Sequence, residues 1–485
     1  MKRLFEQIAG WQNSCDVPIA ISGHRLITRG AFKRMLSSAR YHVDASQLQP
    51  GERCVLALRA PVYELVAMLA LMSAGVVPVC VPLNSPPLAR RAMAQALGVD
   101  AILLGNNEDA IEGARAIKWS HQEFRDSRKR SELTGPATGH EPAIIIFTEG
   151  VEGRPRPIQL SMAALDYRAE AAARALELDE RSRLMCAGVG PERFPIALGA
   201  LSCGAVQVFE NQNPLRSIVC QGISHAVLGP RPLQQLARQV QREPAQLPTL
   251  KRVQTWAERL SPGLIQLISQ NVTENLYGGF HMPEIGIISI AGPQALRDSP
   301  HCCGMACDGV NVKIKPVTTR LSPIEVCGEL LIGTAPGAGE YLDTDSSEGE
   351  MFERGWFGTD MLVRSDHQGL LFMEGRKRFQ VDGLSSALLT GEVERQFLEQ
   401  GAAEEAVALG VTIPAGQSVM AIAVATRDEQ ERCERLLQRQ GISADAAIFV
   451  CDEIPKTRLG GVAMKRLQSQ LQDRVLSQGA VSPRE

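Results

Sequence analysis

Apolar positions come in two rhythms along this chain, and the switch between them outlines the fold. Between residues 19 and 105, short continuous apolar runs at 54–58, 76–81 and 101–104 read as buried strands. They alternate with segments at 29–40, 62–72 and 88–97 whose apolar residues recur every three or four positions, the period of a helix packed on one face. Such βα alternation predicts a parallel sheet covered by helices on both sides. The longest apolar stretch, 65–82, is broken by Ser73, Gly75 and Pro78. It reads as a helix, a glycine stop at Ala74-Gly75 and a buried strand, not as a membrane span. The same rhythm returns after the strand 143–147, through a helix at 162–176, a strand at 226–229 and helices at 232–240 and 262–269. Beyond Ile285 the pattern changes to strands at 310–315, 328–333 and 370–373, separated by glycine, proline and acidic residues.

This pattern predicts an α/β protein with a large N-terminal domain over 1–375, whose last part, from about 286 to 375, is a small β-rich subdomain. Arg376-Lys377-Arg378 is the expected hinge. Residues 379–485 then form a compact α+β unit with a helix at 391–398, strands at 406–410 and 419–425, a helix at 428–440 and a strand at 447–450. The full length of 485 residues suits two to four domains at about 150 residues each.

Charge narrows the possible partners. Lys plus Arg number 51 against 54 Asp plus Glu, a net charge of −3, so no strong field points to nucleic acid or an anionic membrane. The densest basic patch, 125–130, lies in the polar stretch 108–141 and lacks interleaved aromatic residues; it reads as a solvated connection. Twelve scattered cysteines, and no cationic-then-apolar leader in the first five residues, lead us to expect free thiols in a reducing cytoplasm. Cys302, Cys303 and Cys307 cluster beside His301, but without a paired zinc spacing, so no metal site is expected from them.

The chemistry centres on the strand 143–147 and the run Thr148-Glu149-Gly150-Val151-Glu152-Gly153-Arg154-Pro155-Arg156-Pro157 that follows it. Gly150 and Gly153 stand where a tight loop needs unusual φ or close backbone approach, and Ser161 is placed to cap the next helix. Backbone N–H groups of such a loop can cradle phosphate oxygens; an ordinary turn is the other reading. Further along come Asn275-Leu276-Tyr277-Gly278 after a helix, then Gly355-Trp356-Phe357-Gly358-Thr359-Asp360 after an expected acidic helix. Gly375-Arg376-Lys377-Arg378 and Ile454-Pro455-Lys456-Thr457-Arg458-Leu459-Gly460 complete the series. In this order the stretches resemble the adenylate-forming superfamily of acyl-CoA synthetases, aryl-acid ligases and nonribosomal peptide adenylation domains, over nearly the whole chain.

The resemblance implies a large N-terminal domain and a small C-terminal lid that rotates between two half-reactions. ATP and magnesium would activate a carboxylic acid as an acyl-adenylate, and a thiol of coenzyme A or of the pantetheine of an acyl or peptidyl carrier protein would take the acyl group. Carried over residue by residue, it gives Thr148, Gly150, Gly153 and Arg156 to the phosphate loop and Tyr277, within Asn275-x-Tyr277-Gly278, to adenine stacking. Asp360 and Arg376 fall to the ribose.

Four departures accompany these matches. Glu149 and Glu152 replace hydroxyl donors in the loop, and like charges beside a triphosphate repel it. His281 stands where the family has its magnesium-associated glutamate, with Glu284 three residues on as a substitute candidate or His281 simply a packed or surface histidine. A glycine is missing before Asp360. Gly461 takes the place of the lysine that bridges carboxylate and α-phosphate, and Lys465, one helical turn on, is either a substitute or surface charge. Three functions remain open on these residues: a ligase with altered adenylation, a catalytically inactive binding or scaffold protein, and an enzyme of the thiol half-reaction alone.

Overall fold

The computed structural model describes residues 1–58, 60–81, 86–105, 110–111, 113–125, 129–133, 135, 139–148, 155–187, 192–209, 213–256, 260–317, 326–333, 336–342, 352–353, 355–380, 390–400, 403, 405–412, 418–425, 433–435, 446–457 and 461–478. The chain opens with helix α1 (Lys2–Gly10) and a hairpin, β1 (Pro18–Ser22) and β2 (Arg25–Thr28), both absent from the sequence reading. Helix α2 (Arg29–Ala45) is capped by the Thr28 hydroxyl, which accepts from the Ala31 N–H. The predicted alternation follows in β3 (Arg53–Ala57), α3 (Pro61–Ser73), β4 (Val77–Val79), α4 (Pro87–Ala96) and β5 (Ala101–Leu104). Gly75 has φ +73, the left-handed conformation that ends α3 and turns the chain into β4.

After β6 (Arg115–Lys118) and β7 (Pro142–Phe147) the structure departs from the sequence reading. The run after Phe147 does not pass directly from loop to helix; β8 (Pro157–Ser161) intervenes and pairs antiparallel with β7. Two prolines made this strand read as loop, yet Pro157 sits at its first position, where no ladder N–H is needed. Ser161 then caps α5 (Met162–Ala175) as expected, accepting from the Ala164 N–H at 3.1 Å.

Next come β9 (Arg183–Ala187), α6 (Arg193–Cys203), β10 (Val206–Val208), α7 (Pro214–Gln221), β11 (His225–Leu228), α8 (Pro230–Arg242), β12 (Arg252–Gln254) and α9 (Pro262–Asn271). The pairs β1–β10, β10–β9, β9–β11, β11–β12 and β12–β13 are parallel, with β13 spanning Leu276–Met282. From β13 the sheet turns antiparallel through β14 (Gly286–Ala291) and, after α10 (Pro293–Asp298), β15 (Cys302–Ala306). It continues with β16 (Val312–Pro316), β17 (Val326–Gly333), β19 (Phe352–Glu353), β20 (Trp356–Ser365) and β21 (Leu371–Arg376). Phe352 and Glu353 thus form a strand where an acidic helix was expected; the rest of that expected helix lies outside the described residues.

The result is a fourteen-stranded sheet, parallel in one half and antiparallel in the other. A seven-stranded sheet, β18-β8-β7-β4-β3-β5-β6, takes its edge from β18 (Glu340–Tyr341). The largest apolar cluster joins the helices α2, α3 and α5 to this second sheet, and another packs α7, α8 and α9 on the parallel half of the first. The remaining described elements are α11 (Thr390–Glu399), β22 (Glu405–Thr412), β23 (Ser418–Ala425), β24 (Ala446–Cys451) and α12 (Met464–Gln478). They form a three-stranded sheet with apolar clusters on both faces. Of the helix expected at 428–440, residues 433–435 are helical and the others lie outside the described residues.

Candidate functional site

The loop after β7 is closed at its base. Thr148 N–H donates to the Arg156 carbonyl at 2.9 Å, and Arg156 N–H donates to Thr148 Oγ1, also at 2.9 Å. Gly150 and Gly153, with Glu149 and Glu152, lie outside the described residues. The Arg156 guanidinium lies 3.7 Å over the Tyr341 ring, which brings the loop base to the strap strand β18.

In the large sheet, parallel pairing of β12 with β13 gives way to antiparallel pairing of β13 with β14. Ligands of open α/β sheets bind beyond the carboxyl ends of the strands. Asn275 is exposed, Tyr277 is half-buried and Gly278 is buried, its carbonyl accepting from Gln254 Nε2 at 3.0 Å. The Arg252 guanidinium lies 3.6 Å over the Tyr277 ring, held there by Glu177 at 3.0 Å and Gln254 at 3.1 Å. One face of the ring that the family resemblance assigns to adenine is therefore already covered by an internal cation. At the far end of β13, His281 packs against Trp256 with ring centroids 5.6 Å apart. Its Nε2 is buried and has no hydrogen-bond partner among the described residues. Burial, with Arg168 adding to it, holds the imidazole down at about 4, so it is neutral at physiological pH.

Arg168 and its neighbours are what sequence reasoning missed. From α5, the 2 % exposed Arg168 donates from Nε to the Gly337 carbonyl and from Nη1 to the Pro283 carbonyl, both at 2.8 Å. Its Nη1 lies 3.5 Å from Glu192 Oε1, also 2 % exposed. Burial pushes the Glu192 carboxyl up to about 7, against the pull of Arg168 and with a further push from Glu284. Glu284, 6 % exposed, accepts a short hydrogen bond from the Tyr341 hydroxyl, whose own pKa burial and Glu284 raise far above the usual phenol range. One polar chain therefore runs Arg156–Tyr341–Glu284, with Arg168 and Glu192 beside it. A signal for it existed: Arg168 occupies the apolar stripe of α5 between Leu165 and Ala172, where a charge needs a partner.

The remaining predicted positions lie towards the C-terminal sheet. Asp360, with φ +60, accepts from the Arg378 N–H at 3.2 Å and forms a short ion pair with Arg378 Nε. The missing glycine leaves this left-handed position to Asp360 itself, a conformation aspartate tolerates better than most residues. Arg376 closes β21, and its carbonyl accepts from Gln380 Nε2, which also donates to Thr390 Oγ1, both at 2.9 Å. Between them Gly375, φ +112, comes so close to Thr390 that an added Cβ would stand 2.5 Å from its hydroxyl oxygen. Arg376 and Gly461 line one cavity of about 570 Å³, together with Arg231, Gln234, Glu394 and Lys456. Lys456 is itself paired with Glu405. Lys465 is exposed at the start of α12, outside the lining of this cavity.

A magnesium ion seeks hard oxygen ligands. At the position where the resemblance implies its carboxylate, this chain has a neutral imidazole, and Glu284 is committed to Tyr341. Among the described residues no three histidine, cysteine or acidic side chains are grouped to hold a metal. The residues present do not fit the ion.

The sheet switches from parallel to antiparallel pairing at β13, and a cavity lies between the large body and the small C-terminal sheet. The chain belongs to the AMP-binding enzyme family, whose model matches residues 8–342. It is 25 % identical over 411 residues to the nonribosomal peptide synthetase chyA of Penicillium rubens, covering 78 % of this chain but only 17 % of that protein's length. It is 22 % identical over 491 residues to the salicyl-AMP ligase / salicyl-S-ArCP synthetase of Mycobacterium tuberculosis, covering 93 % of this chain and 86 % of the relative. In fold it is similar to o-succinylbenzoate coenzyme A synthetase of Bacillus subtilis in complex with ATP and magnesium ion. That match has a TM-score of 0.81 at 17 % identity, over 98 % of this chain and 100 % of the other. No helix among the described residues is long and apolar enough to cross a membrane.

Proposed function

We propose that this chain acts on a carboxylic acid, or on its adenylate, and on a thiol acceptor of coenzyme A or a carrier protein, with adenylation from ATP impaired. In this reading Asp360 and Arg376 stand at their expected places beside the small C-terminal sheet, and residues 376–378 are the hinge between the body and a C-terminal lid. The observation that carries the impairment is the cavity beside Arg376: its wall is Gly461, with no side chain, and the nearest downstream amine, Lys465, is exposed on α12. Without that amine, the charge developing between carboxylate and α-phosphate loses the cation that the family resemblance puts at this position. An aromatic acid is the first class to screen, because a relative covered over most of both chains is a salicyl-AMP ligase.

A second reading has its own observation. Arg252 covers Tyr277 and Arg378 pairs with Asp360, so two expected nucleotide contacts are satisfied internally. That arrangement favours a binding or scaffold protein that captures a carrier protein or a biosynthetic enzyme without nucleotide.

Calorimetric titration with a non-hydrolysable ATP analogue plus magnesium, then with AMP, separates them. AMP binding with weak or absent triphosphate binding supports impaired adenylation. Micromolar triphosphate binding with substrate-dependent pyrophosphate exchange returns the chain to the ordinary ligases. Binding of neither nucleotide leaves the scaffold reading.

A further inference from the structure

Where the resemblance implies a magnesium-associated carboxylate, the chain places neutral His281 and, within electrostatic reach of it, the buried guanidinium of Arg168. The surroundings of that guanidinium are oxygens drawn from separate elements. They are the carbonyls of Pro283 and Gly337, each at 2.8 Å, and the Glu192 carboxylate at 3.5 Å, with Glu284 contributing a further negative charge. An all-oxygen set assembled from several loops is what a hard divalent cation selects, and here a side chain fills it. Arg168 Nη2 also remains without a hydrogen-bond partner among the described residues, so the guanidinium has donor capacity beyond these contacts.

We propose that Arg168 is the resident cation at this position, balancing Glu192 and Glu284 where the family resemblance implies a divalent ion, so that the site proposed above takes its ligand without metal. The ligand class that follows carries one compact anionic group, as a nucleoside monophosphate or an acyl-adenylate does; a metal-chelated triphosphate does not belong to it. This rests on the functional site proposed above; Arg168 is itself buried and acts on that site through its charge. It goes beyond that proposal in naming the group that replaces the metal.

Two measurements on the full chain test it, and neither uses a nucleotide. In the first, Mn²⁺ alone is titrated into the wild-type protein and followed by electron paramagnetic resonance. The expected result is no stoichiometric site. One Mn²⁺ per chain held tighter than about 100 μM, and lost in Glu284→Gln, would overturn the proposal. In the second, melting temperatures are compared in a cycle. At pH 8, above the value of about 7 to which burial raises Glu192, Arg168→Met is expected to lower Tm by about 5 °C or more, because a buried carboxylate is left without its cation. Arg168→Met with Glu192→Gln is expected to recover at least half of that loss. A double variant no better than the single one makes Arg168 a hydrogen-bonding post for two carbonyls and sinks the charge-balancing role. The manganese measurement needs no Arg168 variant and stands if Arg168→Met does not fold. A chain that binds no nucleotide would end the ligase reading and leave both of these results to be judged separately.

Discussion

Among the described residues, two arginine–carboxylate pairs lie buried in the body of this protein, and they are built on different plans. Arg364 and Glu374 come from adjacent antiparallel strands, β20 and β21, with Nε 3.1 Å from Oε1 and the guanidinium 4.1 Å over the Phe372 ring. The sheet ladder itself brings the partners together. Arg168 and Glu192 come from α5 and from the turn before α6; they are 3.5 Å apart, and the carboxyl sits at about 7 beside a neutral histidine. Their surroundings include Arg168 Nη2, His281 Nε2 and Trp256 Nε1, all buried and lacking partners among the described residues. A buried polar group costs stability unless it is satisfied. Arg364–Glu374 reads as a fastening of the sheet, whereas the centre around Arg168 keeps hydrogen-bonding capacity unused and a carboxyl that changes state near neutral pH.

The comparison breaks most readily at the fastened pair. Arg364→Met leaves the Glu374 carboxylate buried without its cation and is expected to cost about 3–5 kcal/mol by urea unfolding; a loss below about 1 kcal/mol would mean that β20 and β21 do not need the pair. The next effect is a pH dependence that single variants uncover. Glu192, raised from 4.5 to about 7, holds in the folded chain a proton that the unfolded chain has released, so its contribution to stability falls as pH rises from 4.5 to 7. His281, lowered from 6.5 to about 4, is protonated first in the unfolded chain, so its contribution falls as pH drops from 6.5 to 4. The two slopes oppose each other over most of this window. His281→Gln should therefore make stability decline as pH rises from 5 to 7, and Glu192→Gln should make it decline as pH drops from 6.5 to 4.5, each by about 1–3 kcal/mol in thermal or urea scans. Flat profiles for both variants would mean that neither Glu192 nor His281 changes state between folded and unfolded chain in this window.

Smaller effects are expected at the rim. Arg378 is 38 % exposed, so Arg378→Gln should cost less than about 1 kcal/mol. It removes the ion pair at Asp360 Oδ2, however, while the backbone N–H of residue 378 still donates to Oδ1, and AMP affinity measured by calorimetry should rise about threefold or more. Unchanged affinity would show that Asp360 does not reach a ribose. Lys465→Ala should change stability by no more than about 0.5 kcal/mol and leave AMP binding as it was; a tenfold loss of affinity would bring Lys465 back as the missing amine.

Local pattern carried much of this fold. The strand read at 54–58 is Arg53–Ala57, the helix read at 62–72 is Pro61–Ser73, and Ser161 caps the helix it was expected to cap. In each case one period and one capping or stopping residue specify the element within a few positions. Strand β8 was not legible, because its hydrogen-bond partners β7 and β18 are set by tertiary pairing while its prolines argue for a loop. Phe352–Glu353 was hidden for the same reason: an acidic context suggested helix, and pairing with β20 decided otherwise. At the site, Tyr277, Asp360 and Arg376 were legible as letters in ordered motifs. The residues that contact them were not: Arg252 on Tyr277, Arg378 on Asp360, and Arg168 with Glu192 near His281; Glu284 was named as a substitute ligand, but its bond to Tyr341 was not foreseen. Those contacts join elements far apart in sequence, and no spacing rule reports them.

Strand β18 is only two residues long, yet it joins chain from the antiparallel half of the large sheet to the edge of the smaller one. Glu340 and Tyr341 pair with Gln159 and Ile158, and the Leu342 N–H adds a bond to the Pro157 carbonyl at 3.1 Å. Mechanically this is a stitch between two fabrics, and a stitch of so few bonds slips before either fabric tears. In hydrogen exchange, the amides of β18 should therefore lose protection ahead of those in β7, and a ligand reaching Tyr341 through Glu284 or Arg156 should slow that exchange while leaving the interior of both sheets as it was.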